Sequence, residues 1–190
     1  MILLVIGAVA IWPEEREPEY KGKKLSECLR ILRISNTTLE AQREAMLAVR
    51  AIGTNAMPQL LKWLRYERPA WKDRAAAAYK KFPRALVASS LDSWLMSGKA
   101  EVRADAAMNC FQFLGPEAAP AVPELICILK DPRTPVASRR AIVCLGYIGP
   151  KARPALPFLR HLTKGFPSGV AVDATIAIHN IEPMDMPVFR

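Results

Sequence analysis

Apolar positions repeat at a fixed spacing along the second half of this sequence. Between Val102 and Leu114 they recur at helical intervals, and the segment ends in the dipeptide Gly115-Pro116. The same arrangement returns thirty-four residues further on and ends in Gly149-Pro150. A repeat of this length is typical of a helical solenoid, in which each unit buries its apolar face against its neighbours. The pattern therefore predicts a stack of short helical units.

The same four apolar positions can be followed through the rest of the chain. When Gly53 is aligned with Gly115, a first unit lies sixty-two residues earlier, which is about two repeats. A second unit is therefore expected in between, with Pro83 where the other units carry glycine, and a last segment follows at an offset of thirty-three. The equivalent positions, unit by unit, are Ala45, Ala48, Val49 and Ile52; Ala75, Ala78, Tyr79 and Phe82; Ala107, Cys110, Phe111 and Leu114; Ala141, Cys144, Leu145 and Ile148; and Ala174, Ala177, Ile178 and Ile181.

Each predicted unit contains two helices. The first helix ends at glycine, which adopts the left-handed conformation of a helix end without strain. The second helix is opened by proline, whose missing N–H would be unpaired in the first turn anyway. The second helices are predicted at Met57–Arg65, Arg84–Met96, Pro120–Lys130 and Pro154–Thr163. The predicted fold class is therefore all-α.

Two regions precede the predicted repeat domain, which covers residues 25–190. Residues 1–12 are apolar from Ile2 to Trp12, and they are too few for a membrane-spanning helix, which needs about 20 residues. Because their length matches the apolar core of a signal peptide, we interpret them as part of a truncated signal or membrane anchor. The alternative is a short segment that packs on the end of the solenoid. Residues 13–24 are charged and contain proline, as linkers do, and a helix from Leu25 is expected to cap the array.

With these repeats the chain resembles the bacterial HEAT-repeat family, including its short repeats of the phycobilin-lyase type. The resemblance is carried by Val102-Arg103, Ala106-Ala107 and Leu114-Gly115 and covers about residues 38–181, although the second unit lacks the glycine. It implies an α–α superhelix of about four to five helix pairs, with the first helices on the convex side and the second helices on the concave side. It also implies a non-catalytic scaffold that holds other macromolecules.

The net charge of +9 is concentrated in one part of the chain, because residues 41–100 carry eleven basic and four acidic side chains. Such a field favours an acidic protein, anionic lipid or nucleic acid as partner, although a solvated basic face is the simpler interpretation. Within residues 62–84 cations alternate with aromatic rings, so nucleic-acid binding is the alternative function. Trp63 and Tyr79 hold core positions, however, and we expect both to be buried. The cations are Lys62, Arg65, Arg68, Lys72, Arg74, Lys80, Lys81 and Arg84, and the other rings are Tyr66 and Trp71.

The sequence contains no motif for catalysis, phosphate binding or metal binding. His161 and His179 have no Cys, Asp or Glu at the spacing of a metal site, so we expect both at the surface. The four cysteines form no CxxC pair and lie among apolar residues, which predicts buried free thiols that act as small hydrophobic side chains. They are Cys28, Cys110, Cys127 and Cys144. Whether any of them pair is left open, and no catalytic residue, metal or cofactor is assigned.

The predicted function is a protein-binding scaffold, either membrane-tethered or exported through its N-terminal run and otherwise cytoplasmic. The sequence does not identify the partner protein and indicates no small-molecule substrate. Lyase or DNA glycosylase activity would rest on resemblance of fold alone. We expect the contact surface on the concave side, formed by polar residues of the second helices. The candidate contact residues are Lys62, Arg65, Arg84, Lys130, Arg160 and Lys164.

Overall fold

The computed structural model describes residues 17–33, 38–79, 98–164 and 168–183. Helix dominates this part of the chain, and its strands form a short antiparallel hairpin, so the all-α prediction is confirmed. No helix within these ranges has both the length and the apolar composition needed to cross a membrane. The apolar run at residues 1–12, interpreted above as a signal or anchor, lies outside the described residues.

The described elements are two strands, nine α-helices and three 3₁₀ segments. The hairpin consists of β1 (Glu19–Tyr20) and β2 (Lys23–Lys24). The helices are α1 (Leu25–Arg33), α2 (Leu39–Ile52), α3 (Met57–Leu64), α4 (Ala70–Tyr79), α5 (Lys99–Leu114), α6 (Val122–Lys130), α7 (Pro135–Ile148), α8 (Leu156–Leu162) and α9 (Ser168–Ile181). The first, second and third 3₁₀ segments are Gly53–Ala56, Gly115–Ala121 and Gly149–Ala155.

Three glycines end helices α2, α5 and α7 in the same way. Gly53, Gly115 and Gly149 have φ angles of 52°, 50° and 69°. The backbone N–H of each donates to the carbonyl oxygen four residues earlier, which closes the last helical turn. Glycine adopts a positive φ without steric cost, whereas residues with a Cβ are strained there. The helix ends predicted at these glycines are therefore confirmed.

The second helices α3, α6 and α8 begin after the 3₁₀ segments, and each carries proline as its second residue, at Pro58, Pro123 and Pro157. Pro120 and Pro154, which were predicted to open α6 and α8, lie inside 3₁₀ segments instead. The predicted starts were therefore two residues too early, because either proline of these Pro-x-x-Pro sequences suits a first turn. The helix predicted at Arg84–Met96 falls outside the described residues.

Each second helix packs on the next first helix of the stack. Helix α3 contacts α5, α6 contacts α7, and α8 contacts α9, while α5, α7 and α9 are also neighbours in that order. Helix α1 packs against both α2 and α5, so it does more than cap the first unit. One core cluster extends through these contacts, from Leu25 in α1 to Ile181 in α9. The burial of apolar side chains between successive units is what stabilises this arrangement.

The second predicted unit does not separate the first unit, α2 and α3, from the third unit, α5 and α6. Helix α3 packs directly on α5, whereas α4 has no comparable packing on another described helix. Of the core positions predicted in α4, Ala75 is half-buried and Ala78 is exposed, while Ala76 is buried instead. The offset of sixty-two residues therefore does not correspond to two stacked repeats, and this prediction was wrong. The side chains of Tyr79 and Phe82 lie outside the described residues.

The loop between α3 and α4 ties the first unit to α7. The Arg140 side chain of α7 is buried, and the residue is only 7% exposed. Its Nη1 donates to the carbonyl oxygen of Tyr66 at 2.8 Å, and its Nε donates to Asp105 of α5 at 3.2 Å. Because a buried guanidinium is costly without hydrogen-bond acceptors, the bond to Tyr66 holds the loop against α7, and the bond to Asp105 joins α7 to α5.

Glu67 in the same loop caps helix α7 from a distant part of the chain. Its Oε1 accepts a hydrogen bond from the backbone N–H of Ala137 at 2.7 Å. This N–H belongs to the first helical turn, where no acceptor exists within the helix itself. Thr134 precedes α7, but its hydroxyl donates to the carbonyl oxygen of Asp131 and does not cap the helix. The Glu67 carboxylate also complements the positive end of the helix dipole.

We expect Gly53→Ala to lower the free energy of unfolding by about 1–3 kcal/mol, because alanine is strained at a φ of 52°. An added Cβ would meet no heavy atom within 4 Å, so the cost comes from the backbone alone. The matched control is Gly169→Ala inside α9, which should be neutral or stabilising by up to about 1 kcal/mol. Chemical denaturation measures both variants, and an unchanged midpoint for Gly53→Ala would contradict the assigned conformation.

Glu67→Ala should destabilise the protein by about 1–2 kcal/mol, the usual cost of removing a helix cap. Glu117→Ala is the control, since Glu117 is an exposed carboxylate of the second 3₁₀ segment and its removal changes the net charge equally. Thermal or chemical denaturation distinguishes the two variants. Equal stability of both would show that the Glu67 contact does not hold α7.

Candidate partner-binding surface

The structure places five of the six predicted contact residues on or next to the second helices. Lys62 lies in α3 and Arg65 directly follows it, and Lys130 is the last residue of α6. Arg160 lies in α8, and Lys164 follows two residues after that helix ends. All five are exposed. Arg84, the sixth residue, lies outside the described part of the chain.

Three of these cations occupy equivalent positions in successive units. Counted from the second-position prolines Pro58, Pro123 and Pro157, each cation follows seven residues later. They are Arg65, Lys130 and Lys164, and we call them the basic row. Each lies at or within two residues of the C-terminal end of its helix, where a positive charge also complements the helix dipole. The three cations were among the contact residues predicted from the sequence, but their common spacing was not identified there.

Part of this positive charge is compensated by carboxylates and an aromatic ring. Arg65 forms an ion pair with Glu124 of α6, and Arg160 forms one with Glu182 at 2.6 Å. The ammonium group of Lys130 lies 4.3 Å from the ring centroid of Phe158, within the range of a cation–π contact. Within the described ranges, neither Lys130 nor Lys164 has a carboxylate partner. These two lysines therefore contribute most to the positive field of the row.

A groove of about 570 Å³ runs beside the start of the basic row, between α3 and the second 3₁₀ segment. Met57 and Ala121 are nearly buried and form its apolar floor, while the exposed Pro58 and Pro120 lie at its edges. The paired Arg65 and Glu124 also line the groove. The remaining lining residues are Thr54, Leu61 and Lys62. Sequence analysis missed this groove because it depends on the tertiary contact that brings the second 3₁₀ segment beside α3.

The aromatic residues predicted to support nucleic-acid binding are only partly available. Trp63 is 7% exposed, as expected from its core position, and the guanidinium of Arg103 lies 5.7 Å from the centroid of its ring. Arg68 is paired with Asp73 at 2.8 Å and with Glu101 at 3.2 Å. These contacts occupy one ring and one cation of the proposed patch. Lys80, Lys81 and Arg84 lie outside the described residues, and Trp71 is 54% exposed.

The histidines and cysteines show no arrangement for metal binding in the ranges that the structure describes, where no three His, Cys, Asp or Glu side chains cluster. Cys28, Cys110 and Cys144 are buried free thiols, as predicted. Burial raises the pKa of Cys110 to about 12 and also raises the pKa of Cys28 and Cys144. Cys127 contradicts the prediction, because it lies exposed on α6, on the helix face that points away from the core.

At mildly alkaline pH, a chromogenic disulfide reagent should modify one of the four thiols of the native protein rapidly. The thiolate is the reactive form, and a raised pKa keeps the three buried thiols protonated as well as shielded. In denaturant all four should react, and Cys127→Ser should abolish the rapid phase. Rapid modification of two or more thiols in the native protein would contradict the packing of α1, α5 or α7.

No protein-family model, curated protein or solved structure matches this chain.

Proposed function

We propose that this protein is a non-catalytic scaffold of HEAT-like repeats that binds an acidic segment of a partner protein along α3, α6 and α8. The observation that carries the proposal is the basic row Arg65, Lys130 and Lys164, in which one cation recurs at the same position of three successive second helices. Cations at a regular spacing complement carboxylates along an extended chain, and they increase the association rate through their long-range field.

We place the first helices on the convex side of a superhelix and the second helices on its concave side, in about four helix pairs. The support is the recurring contact of each second helix with the next first helix, at α3–α5, α6–α7 and α8–α9. A constant relation between successive units is the geometric condition for a superhelix.

The groove beside α3 would supply the apolar part of the interface. Its floor of Met57 and Ala121 suits one bulky apolar side chain, and the Arg65–Glu124 pair in its lining suits a polar neighbour. Charged rims alone give little affinity because exposed ion pairs contribute little, whereas buried apolar anchors contribute most of it. The proposed ligand is therefore a segment with one large apolar residue followed by several carboxylates.

We also propose that residues 1–12 tether the scaffold to a membrane or direct its export, because they form an uninterrupted apolar run in front of a charged segment. A cytoplasmic protein without a tether is the alternative. Enzymatic activity is not part of the proposal. A lyase or glycosylase would need convergent ionisable groups in a pocket, and the groove is lined mainly by apolar side chains.

The test selects ligands for the immobilised protein from a display library of random peptides. We expect enrichment of Asp and Glu next to a bulky apolar residue. Lys130→Glu/Lys164→Glu should weaken binding of the selected peptides at least about tenfold. Arg43→Glu/Arg50→Glu is the control with the same charge change, since both arginines are exposed on α2, and it should bind nearly as tightly as the wild type. Peptides without acidic enrichment, or equal binding by both variants, would overturn the proposal.

The wild type and the same two charge variants also test the alternative that the partner is a nucleic acid. Fluorescence anisotropy with labelled single-stranded and duplex DNA, measured over a range of salt concentrations, distinguishes it. Tight binding that falls steeply with salt would favour a nucleic-acid partner over an acidic peptide. We expect weak binding, because Trp63 is buried and Arg68 is paired with carboxylates.

A further inference from the structure

Helix α2 exposes large aliphatic side chains on the face opposite its buried one. Leu39 and Leu47 are each 63% exposed, and Met46 is 36% exposed. Their spacing of seven and eight residues puts them on one side of the helix, while Ala45 and Val49 face the core. Single exposed leucines are common at protein surfaces, but three aliphatic side chains on one helix face indicate a surface that something covers.

Two arginines lie among these aliphatic side chains. Arg43 and Arg50 are exposed, and at the helical period they share an arc of about 100° with the three aliphatic residues. We call this set the α2 stripe; it consists of Leu39, Arg43, Met46, Leu47 and Arg50. Leucine with interspersed arginine is the composition of helices that lie in the plane of a membrane surface. There the aliphatic groups enter the acyl boundary, and the long arginine side chains reach the phosphates.

A basic hairpin lies beside the stripe. The turn between β1 and β2 consists of Lys21 and Gly22, both with positive φ, at 49° and 76°. Tyr20, Lys21 and Lys23 line a small groove together with Leu47, so the hairpin and the stripe form one surface.

Acidic side chains at this surface are fewer than the basic ones. Glu44 is paired with Lys23 at 2.9 Å, and the hydrogen bond from Lys23 lowers the pKa of its carboxyl group. Glu40 on α2 and Glu19 on β1 are the other carboxylates of these elements. Against them the hairpin and the stripe bring five cations, which are Lys21, Lys23, Lys24, Arg43 and Arg50. The surface as a whole is therefore positive, and it suits an anionic partner.

The N-terminal apolar run is joined to this surface by a short stretch of chain. Only residues 13–16 separate Trp12 from Glu17, so the α-carbons of these two residues are at most about 18 Å apart. If residues 1–12 enter a membrane, the hairpin and α2 must therefore stay close to its surface. The last helix offers a contrast, because Val172 and Ile176 of α9 are also exposed but flank Asp173, whose charge is paired with Arg139.

We propose that the α2 stripe and the hairpin lysines form a docking surface for a bilayer rich in anionic phospholipid. Leu39, Met46 and Leu47 enter the boundary between headgroups and acyl chains, while the arginines and Lys21 bind phosphates. This inference takes only the tether from the proposed function and is independent of any partner on the second helices. It assigns α2 a role in orienting the scaffold, since one face of the array is held against the membrane.

The experiment uses the full chain with an environment-sensitive fluorophore attached to the Leu47→Cys variant in a Cys127→Ser background. The other three cysteines are buried and should stay unlabelled. Vesicles of phosphatidylcholine with phosphatidylglycerol should shift the emission to the blue, because the fluorophore enters an apolar layer. Pure phosphatidylcholine should give a much smaller shift. The matched control carries the fluorophore on native Cys127 of α6, and its emission should not change with either vesicle.

Charge variants test the phosphate contacts separately. Arg43→Gln/Arg50→Gln should raise the anionic-lipid concentration needed for half of the shift by about fivefold per removed cation. Lys151→Gln/Arg153→Gln removes two exposed cations from the third 3₁₀ segment and should leave that concentration unchanged.

The possible results distinguish failure of the docking surface from failure of the membrane tether. Vesicle-bound protein with an unshifted fluorophore at position 47 would overturn the docking surface and leave the tether standing, whereas no vesicle binding would overturn both. Equal shifts on neutral and anionic vesicles would overturn the assignment of anionic lipid. The emission could also shift to the blue without vesicles. If ultracentrifugation then gave the mass of a dimer, a second copy of the chain would cover the stripe instead of a membrane.

Discussion

The contact between the loop after α3 and the beginning of α7 determines how this chain stacks. Arg140 is buried and needs acceptors, and it finds one in the backbone of Tyr66. Glu67 supplies the acceptor that the first turn of α7 lacks. Both contacts satisfy groups that would otherwise be buried or left without a partner, so the penalty for breaking them is larger than for an exposed ion pair. They hold the loop after α3 against α7, and α3 itself packs directly on α5.

The basic row and the groove follow from that packing. Helices α3, α6 and α8 each pack on the next first helix, and each carries an exposed cation at or just after its C-terminal end. The groove exists because the second 3₁₀ segment lies directly beside α3. Exposed ion pairs such as Arg65–Glu124, Arg139–Asp173 and Arg160–Glu182 join neighbouring elements, but each contributes little to stability. Their main effect is to fix the directions of the long side chains at the surface.

The α2 stripe lies on the helix face opposite the predicted core positions. Periodicity predicts the buried face of each helix, and Ala45, Ala48 and Val49 of α2 are buried as it predicts. Leu39 and Leu47 lie outside that set, and their presence away from the core positions was a signal in the sequence itself. The tertiary structure was still needed, because only the burial of the opposite face and the neighbouring hairpin show that these leucines are exposed to solvent beside a group of cations.

Local chemistry could be predicted from the sequence, and long-range packing could not. The glycine ends of α2, α5 and α7, the prolines near the start of the second helices and the buried alanines follow from the conformations and sizes of those residues alone. The exclusion of α4 from the stack does not, because its alanines fit the repeat as well as those of α7 do. The position of the loop that leads into α4 depends on two contacts between residues about seventy positions apart, from Tyr66 to Arg140 and from Glu67 to Ala137. The pattern of apolar residues along the sequence does not predict such contacts. They stabilise the protein only when the folded chain brings a buried donor to its acceptor.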